Sequence, residues 1–136
     1  EQQAARLAAQ RGNPQIFAQI AAELRESDQL ISSGAEGIRA YYHLNERLDR
    51  AIEDSISSAY LVSALKGLHL HLARIRRLSR QNSDRLRAAA VETLVIVEAI
   101  VNRDADLAAS ATHVHLQQSL RNSLETVRPR TVDRVA

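Results

Sequence analysis

Apolar residues in this chain recur at spacings of three and four, which is the period of an α-helix that packs on one face. No segment alternates between apolar and polar residues as a half-buried strand does. The pattern is clearest in two stripes, Leu44, Leu48, Ala51, Ile52 and Ile56, followed by Leu61, Leu65, Leu68, Leu72 and Ile75. The hydrophobic pattern therefore predicts an all-α protein.

The helix boundaries are predicted from the few residues that stop or cap helices. Gly12, Asn13 and Pro14 indicate a helix end, an N-cap and a proline at the first helical position. Later clusters of Ser, Asn, Asp and Gly provide side-chain oxygens that accept from the exposed N–H groups of a helix start. The sequence thus predicts six helices, at about residues 1–11, 14–31, 35–56, 59–79, 84–102 and 104–127.

The predicted helices are joined by short connections, so we expect an antiparallel bundle in which neighbours in sequence pack together. The fifth helix should be central, because its apolar surface is the broadest. That surface is formed by Val91, Leu94, Val97, Ile100 and Val101.

The composition favours one helical domain, over residues 1–128, with a frayed tail at 129–136. The 136 residues include no Cys, Met or Trp, and only Phe17, Tyr41, Tyr42 and Tyr60 are aromatic. The core must therefore consist of Leu, Ile, Val and Ala. The absence of cysteine excludes a disulfide framework, a thiolate metal site and a cysteine nucleophile.

The charge and the hydropathy of the chain bear on its binding to nucleic acid, its association with membranes and its location. A net charge of +2 is too small to indicate nucleic-acid binding by this chain itself. No leader peptide or membrane-spanning stretch is recognised, so we expect no membrane association and a cytoplasmic location.

Two segments resemble a known family. Residues 91–116, VETLVIVEAIVNRDADLAASATHVHL, join two predicted helices through a corner at Arg103 and Asp104. Residues 45–61, NERLDRAIEDSISSAYL, form the second segment. Both resemble the C-terminal effector-binding (FCD) domain of FadR-subfamily GntR transcriptional regulators. The residues that keep the family's register in the first segment are Glu92, Ile96, Ala99, Asp104, Ala108 and His115.

The resemblance implies a function as well as a fold. It implies an all-α bundle of about six helices that dimerises and binds a small metabolite, with an organic acid as the expected class. DNA would be bound through an N-terminal winged-helix domain that is not in this chain. The bundle would then modulate DNA binding when its effector is present.

The resemblance also implies four metal-ligand positions, at Asn45, Asp49, Thr93 and His115. Here the family's Asp is replaced by Asn45, and two of its three histidines by Asp49 and Thr93. An amide and a hydroxyl are poor ligands for first-row metals, so we expect no metal cofactor. A retained Zn²⁺ or Ni²⁺ would depend on Asp49 and His115, and His43, His69 or His71 would help only if it pointed inward.

The same positions are candidates for binding an organic ligand. Buried polar groups that lack partners cost about 1–3 kcal/mol each, so they must bond one another, water or a ligand. Arg74 is added because its planar fork suits a carboxylate, whereas Arg76, Arg77 and Arg80 are interpreted as a solvated basic face. The predicted ligand-binding residues are Asn45, Asp49, Arg74, Thr93, His115 and Asn122.

Two other functions remain to be weighed. A purely structural dimerisation bundle would have a filled interior and bind nothing. An enzyme is not expected, because Asp49 and His115 are accompanied by no nucleophile, phosphate-binding loop or intact metal set.

Overall fold

A computed structural model describes residues 1–78 and 82–128. These residues form seven helices and no strand, so the all-α prediction is confirmed. The predicted tail at 129–136, the last residue of the helix predicted over 59–79, and Arg80 lie outside the described residues. The helices are α1 (Gln2–Arg11), α2 (Pro14–Arg25), α3 (Ser27–Ser32), α4 (Ala35–Asp54), α5 (Ala59–Leu78), α6 (Ser83–Val101) and α7 (Ala105–Val127).

The second predicted helix is broken in two, which is why the described residues contain seven helices rather than six. α2 ends at Arg25 and α3 begins at Ser27. The buried Ser27 hydroxyl donates to the carbonyl of Leu24, and Glu26 lies between the two helices outside helical geometry. Serine hydroxyls that bond to the preceding turn bend helices, and here the bend separates two elements.

The prediction that the helix now labelled α6 is central agrees with its packing. α6 packs against α1, α2, α3 and α7. Its face around Val97 and Ile100 is completely buried with Phe17 and Ile20 of α2. Val91 is an exception to the predicted apolar surface, because its side chain is 66% exposed.

Helix α1 is attached to the bundle through alanines. Ala4, Ala5, Ala8 and Ala9 are all buried, and α1 packs chiefly against α7 and also against α6. Alanine side chains allow the backbones of two helices to approach closely. The first helix therefore lies tightly against the last one.

Helix α5 lies at the periphery. Of its predicted stripe only Leu65 is fully buried, in a small cluster with Ala4 and Ile56, whereas Leu68 and Ile75 are largely exposed. The spacing of three and four therefore predicted a helix here, but not its depth of burial.

The corner between α6 and α7 closes both helix ends. Arg103 adopts φ = 59°, and the N–H of Asp104 donates to the carbonyl of Ala99 (2.9 Å), as in a Schellman C-cap. The Asp104 carboxylate accepts from the N–H of Leu107 (2.9 Å) and caps α7.

None of the described helices combines the length and the apolar character that a membrane span requires.

Candidate functional site

A partly open cavity of about 150 Å³, here called the inner cavity, lies among α1, α4, α5, α6 and α7. Aliphatic side chains such as Leu48, Ile52, Leu65 and Leu72 form part of its wall. The rest is unusually polar for a bundle with an aliphatic core. The charged or amide side chains in the lining are Glu1, Asn45, Asp49, His69, Arg76, Arg85, His115 and Asn122.

One polar group of the inner cavity, the Asp49 network, consists of Glu1, Asp49, Glu53, His69 and Arg76. The two ring nitrogens of His69 face different carboxylates, with Nε2 3.1 Å from Glu1 Oε1 and Nδ1 3.1 Å from Glu53 Oε1. A histidine that donates to two carboxylates must be an imidazolium. Its position joins α5 to α4 and to the start of α1.

The pKa of His69 is raised by its hydrogen bond to Glu1, against the opposing effect of burial, and further by Asp49 and Glu53. The pKa of Asp49 is also raised, because burial outweighs the attraction of Arg76 and His69 for its charged form. Arg76 Nη1 donates to Asp49 Oδ2 at 3.2 Å. Burial raises the pKa of Glu1, but its hydrogen bond to His69 and the charge of His69 outweigh this effect, so the pKa of Glu1 is lowered.

The second polar group, the His115 network, consists of Arg85, Glu92, His115 and Ser119. Arg85 donates to Glu92 through two parallel hydrogen bonds of 2.8 and 2.9 Å and also reaches Ser119 Oγ (3.2 Å). Burial raises the pKa of Glu92, but the hydrogen bonds from Arg85 and His115 outweigh it, so the pKa is lowered. Because an ionised carboxylate only accepts, His115 Nδ1 must be the donor in its 2.7 Å contact with Glu92.

Five of the six predicted ligand-binding residues line the inner cavity. Asn45, Asp49, Thr93, His115 and Asn122 lie in its wall, and Thr93 is fully buried. Their role in binding stays a prediction. Asn45 Nδ2 donates to the carbonyl of Tyr41 at 3.2 Å, which fixes its side chain against its own helix.

Arg74, the sixth predicted residue, is in the wrong place for this role. It is exposed and outside the cavity lining. At 3.6 residues per turn, a residue nine positions after Leu65 points about 180° away from it. Residues 69, 72 and 76 return to the Leu65 face, so Arg76, which was interpreted as solvated, faces the cavity instead.

Four further charged residues of the cavity lining were not identified as ligand-binding candidates, namely Glu1, His69, Arg76 and Arg85. Glu1 has no distinguishing neighbours in sequence. His69 and Arg76 share the helical face of Leu65, a spacing that could have revealed them. Arg85 and Glu92 are seven apart on α6, which is also the spacing of one helix face, and the site contains both.

The metal ligands implied by the resemblance do not fit a metal ion in this chain. Asp49 is bonded to Arg76 and His115 to Glu92, in different networks. Asn45 and Thr93 contribute an amide and a hydroxyl. Of the three alternative histidines, His69 faces the cavity, whereas His43 and His71 are exposed. Among the described side chains, no group of three His, Asp or Glu residues is arranged to hold a metal.

Comparison with known proteins identifies one family. A family model described as the FCD domain matches residues 1–118, which is most of the chain and includes every helix at least in part. No curated protein and no solved structure gives a significant match.

Proposed function

Because this chain belongs to the FCD domain family, the effector-binding domain of GntR/FadR-type transcriptional regulators, we propose that its inner cavity binds a small organic acid. The family is regulatory and not enzymatic. In this proposal two copies of the domain associate, and each is joined to a winged-helix domain that binds DNA in the cytoplasm. Binding of the acid then changes the affinity of the dimer for its operator.

The observation that carries this proposal is a cavity inside an aliphatic bundle, with charged groups set in a mostly apolar wall. Two charge networks face a space of about 150 Å³. An apolar cavity of that size holds a molecule as large as benzene, whereas a bundle that serves only as a scaffold gains nothing from leaving it unfilled. The volume favours a short-chain metabolite with about six non-hydrogen atoms.

The charges in the wall favour an acid as the ligand. Among the described residues, Arg76 donates a side-chain hydrogen bond to Asp49 alone, so most of the five guanidinium donors remain for a carboxylate. The imidazolium of His69 adds positive charge beside it. The aliphatic wall around Leu48, Ile52 and Leu65 suits a short hydrocarbon portion.

Regulation follows from linkage. The cavity wall is shared among α1, α4, α5, α6 and α7, so a ligand there joins α5 to helices that it otherwise contacts little. The ligand shifts the equilibrium between the DNA-competent arrangement of the dimer and the other arrangement. It can do so only by the difference in its affinity for the two, typically 1–3 kcal/mol.

A panel of acids tests the proposal. Straight-chain monocarboxylates, dicarboxylates and hydroxy acids are added to the purified domain, and the unfolding temperature is followed. We expect at least one short acid to stabilise the domain and to alter operator binding by the full regulator. Thr93→Val, which removes a cavity hydroxyl, should weaken that stabilisation, whereas Ser110→Ala on the exposed face of α7 should not.

The competing function is a structural dimerisation module. It predicts that no acid stabilises the domain, that operator binding does not respond to any of them, and that His115→Leu is neutral or stabilising. Those three results together would replace the proposal. Sedimentation of the isolated domain measures dimerisation separately.

A further inference from the structure

A second open space, here called the outer groove, runs between α4 and α5 and encloses about 410 Å³. Tyr42, Asp49, His69 and Arg76 line both the outer groove and the inner cavity. These four side chains therefore separate the two spaces.

We propose that the outer groove is the entrance to the inner cavity and that Arg76 selects anionic molecules there. This inference rests on the proposed function, since an entrance matters only if the cavity receives a ligand. Arg76 is placed to act in both spaces, because its side chain is one-third exposed and belongs to both linings.

The hydrogen bonding of Arg76 suits exchange of partners. Its one contact with Asp49, at 3.2 Å, is single and longer than the paired bonds between Arg85 and Glu92. An arriving carboxylate can occupy the open side of the guanidinium before the bond to Asp49 is lost. The charge of Arg76 is thus never left without a partner during the exchange.

The outer rim favours anions only modestly. Arg50, Lys66 and Arg77 accompany Arg76 in the groove, against three carboxylates, Glu46, Asp49 and Glu53. The imidazolium of His69 adds to the positive side. Because the surrounding charges nearly cancel, the selectivity should depend on Arg76 rather than on the field of the whole groove.

Helix α5 is weakly held, which permits such an opening. Leu65 is its single fully buried side chain among the described residues. Polar contacts connect its second half to α4, namely the bond from the Tyr42 hydroxyl to the Arg76 carbonyl (2.8 Å) and the contacts of His69 and Arg76 with carboxylates. Such contacts break and re-form without loss of an apolar core.

The absence of native cysteine allows a direct test that requires no knowledge of the effector. In Thr93→Cys the thiol replaces a buried cavity side chain, and its modification is timed with methanethiosulfonates carrying either a sulfonate or a trimethylammonium group. Ser110→Cys, exposed on α7, gives the intrinsic reactivity of each reagent. We expect the sulfonate to be favoured at position 93 by about tenfold after this correction, the scale of charge focusing in a cleft.

The contribution of Arg76 is isolated by a matched pair. Arg76→Gln in the Thr93→Cys background should abolish most of the preference for the sulfonate. Arg74→Gln removes the same charge two residues away, at an exposed position outside both spaces, and should leave the preference intact. Equal losses in the two variants would overturn selection by Arg76.

The location of the entrance has its own control. Ala73→Trp fills the outer groove and should slow both reagents at position 93, whereas Ala88→Trp, exposed on α6, should not. Unchanged rates in Ala73→Trp would place the entrance elsewhere.

If Thr93→Cys fails to fold by circular dichroism, Thr112→Cys, also buried in the lining, replaces it. Failure of the acid panel alone would contradict the proposed function and leave these rates interpretable.

Discussion

The two halves of α6 face opposite kinds of interior. Its second half, around Val97 and Ile100, packs into an aliphatic core in which those side chains are completely buried. Its first half presents Arg85 and Thr93 to the inner cavity, and Arg85 pairs there with Glu92 of the same helix. Buried ion pairs stabilise a fold less than well-packed apolar residues of similar volume. The apolar half thus accounts for stability, and the polar half is better explained by a binding role.

The largest expected effect lies in the apolar half. Ile100→Ala should lower the free energy of unfolding by about 2–5 kcal/mol, because it removes buried methyl groups and leaves a cavity. Val95→Ala, at a largely exposed position on the same helix, should cost less than about 1 kcal/mol. Urea denaturation measures both. Similar losses for the two would erase the distinction between packed and open surfaces of α6.

The polar half should respond less, and through charge rather than volume. Glu92→Gln leaves the mostly buried guanidinium of Arg85 without its carboxylate, which should cost about 1–3 kcal/mol. Glu98→Gln, also on α6, breaks the exposed pair with Arg25 of α2 and should cost at most about 1 kcal/mol.

A double variant sharpens this part of the comparison. Arg85→Met with Glu92→Met should recover much of the stability lost in Glu92→Gln, because no buried charge is left uncompensated. A double variant less stable than Glu92→Gln would show that the pair itself is a main source of stability.

The smallest expected effect is a dependence on pH centred on His69. Its pKa is raised above the ordinary value of 6.5, by Glu1 and by the carboxylates of α4, so the folded state binds the extra proton more tightly. The resulting stabilisation is fully present below the ordinary value and is lost as pH rises through the folded pKa. Arg76 also faces this network, through its hydrogen bond to Asp49.

Unfolding free energy measured from about pH 6 upward should therefore decline in the wild type. His69→Gln should flatten the decline, and His71→Gln, exposed on the same helix, should leave it unchanged. An identical slope in His69→Gln would mean that other groups cause the pH dependence.

The sequence predicted the helices better than it predicted their surroundings. Spacing of three and four residues reports which side of a helix is apolar, so the all-α class followed from it, and most helix ends followed from the residues that stop or cap helices. It did not predict the break at Ser27, because that depends on one hydroxyl bonding back to Leu24. It also placed Leu68 and Ile75 in a core that α5 does not reach.

The site was predictable only where a spacing or a resemblance constrained it. Asn45 and Asp49 are one turn apart and both line the inner cavity, as expected from their shared face. Arg74 was predicted to bind the ligand because of the chemistry of its guanidinium and not because of its angle on the helix, and it points away from the inner cavity. The pair Glu1–His69 depends on the distance between helices, and the pair Arg85–Glu92 on the rotamers of two side chains of α6, which the order of residues alone does not specify.

The alanine seam between α1 and its neighbours has a consequence for how this domain can evolve. At Ala8 and Ala9, every substitution except glycine enlarges a side chain that has no free space beside it. Mutational tolerance should therefore be lowest at the buried alanines of α1. Divergence among relatives should accumulate first on α5, where specificity can change without disturbing the scaffold.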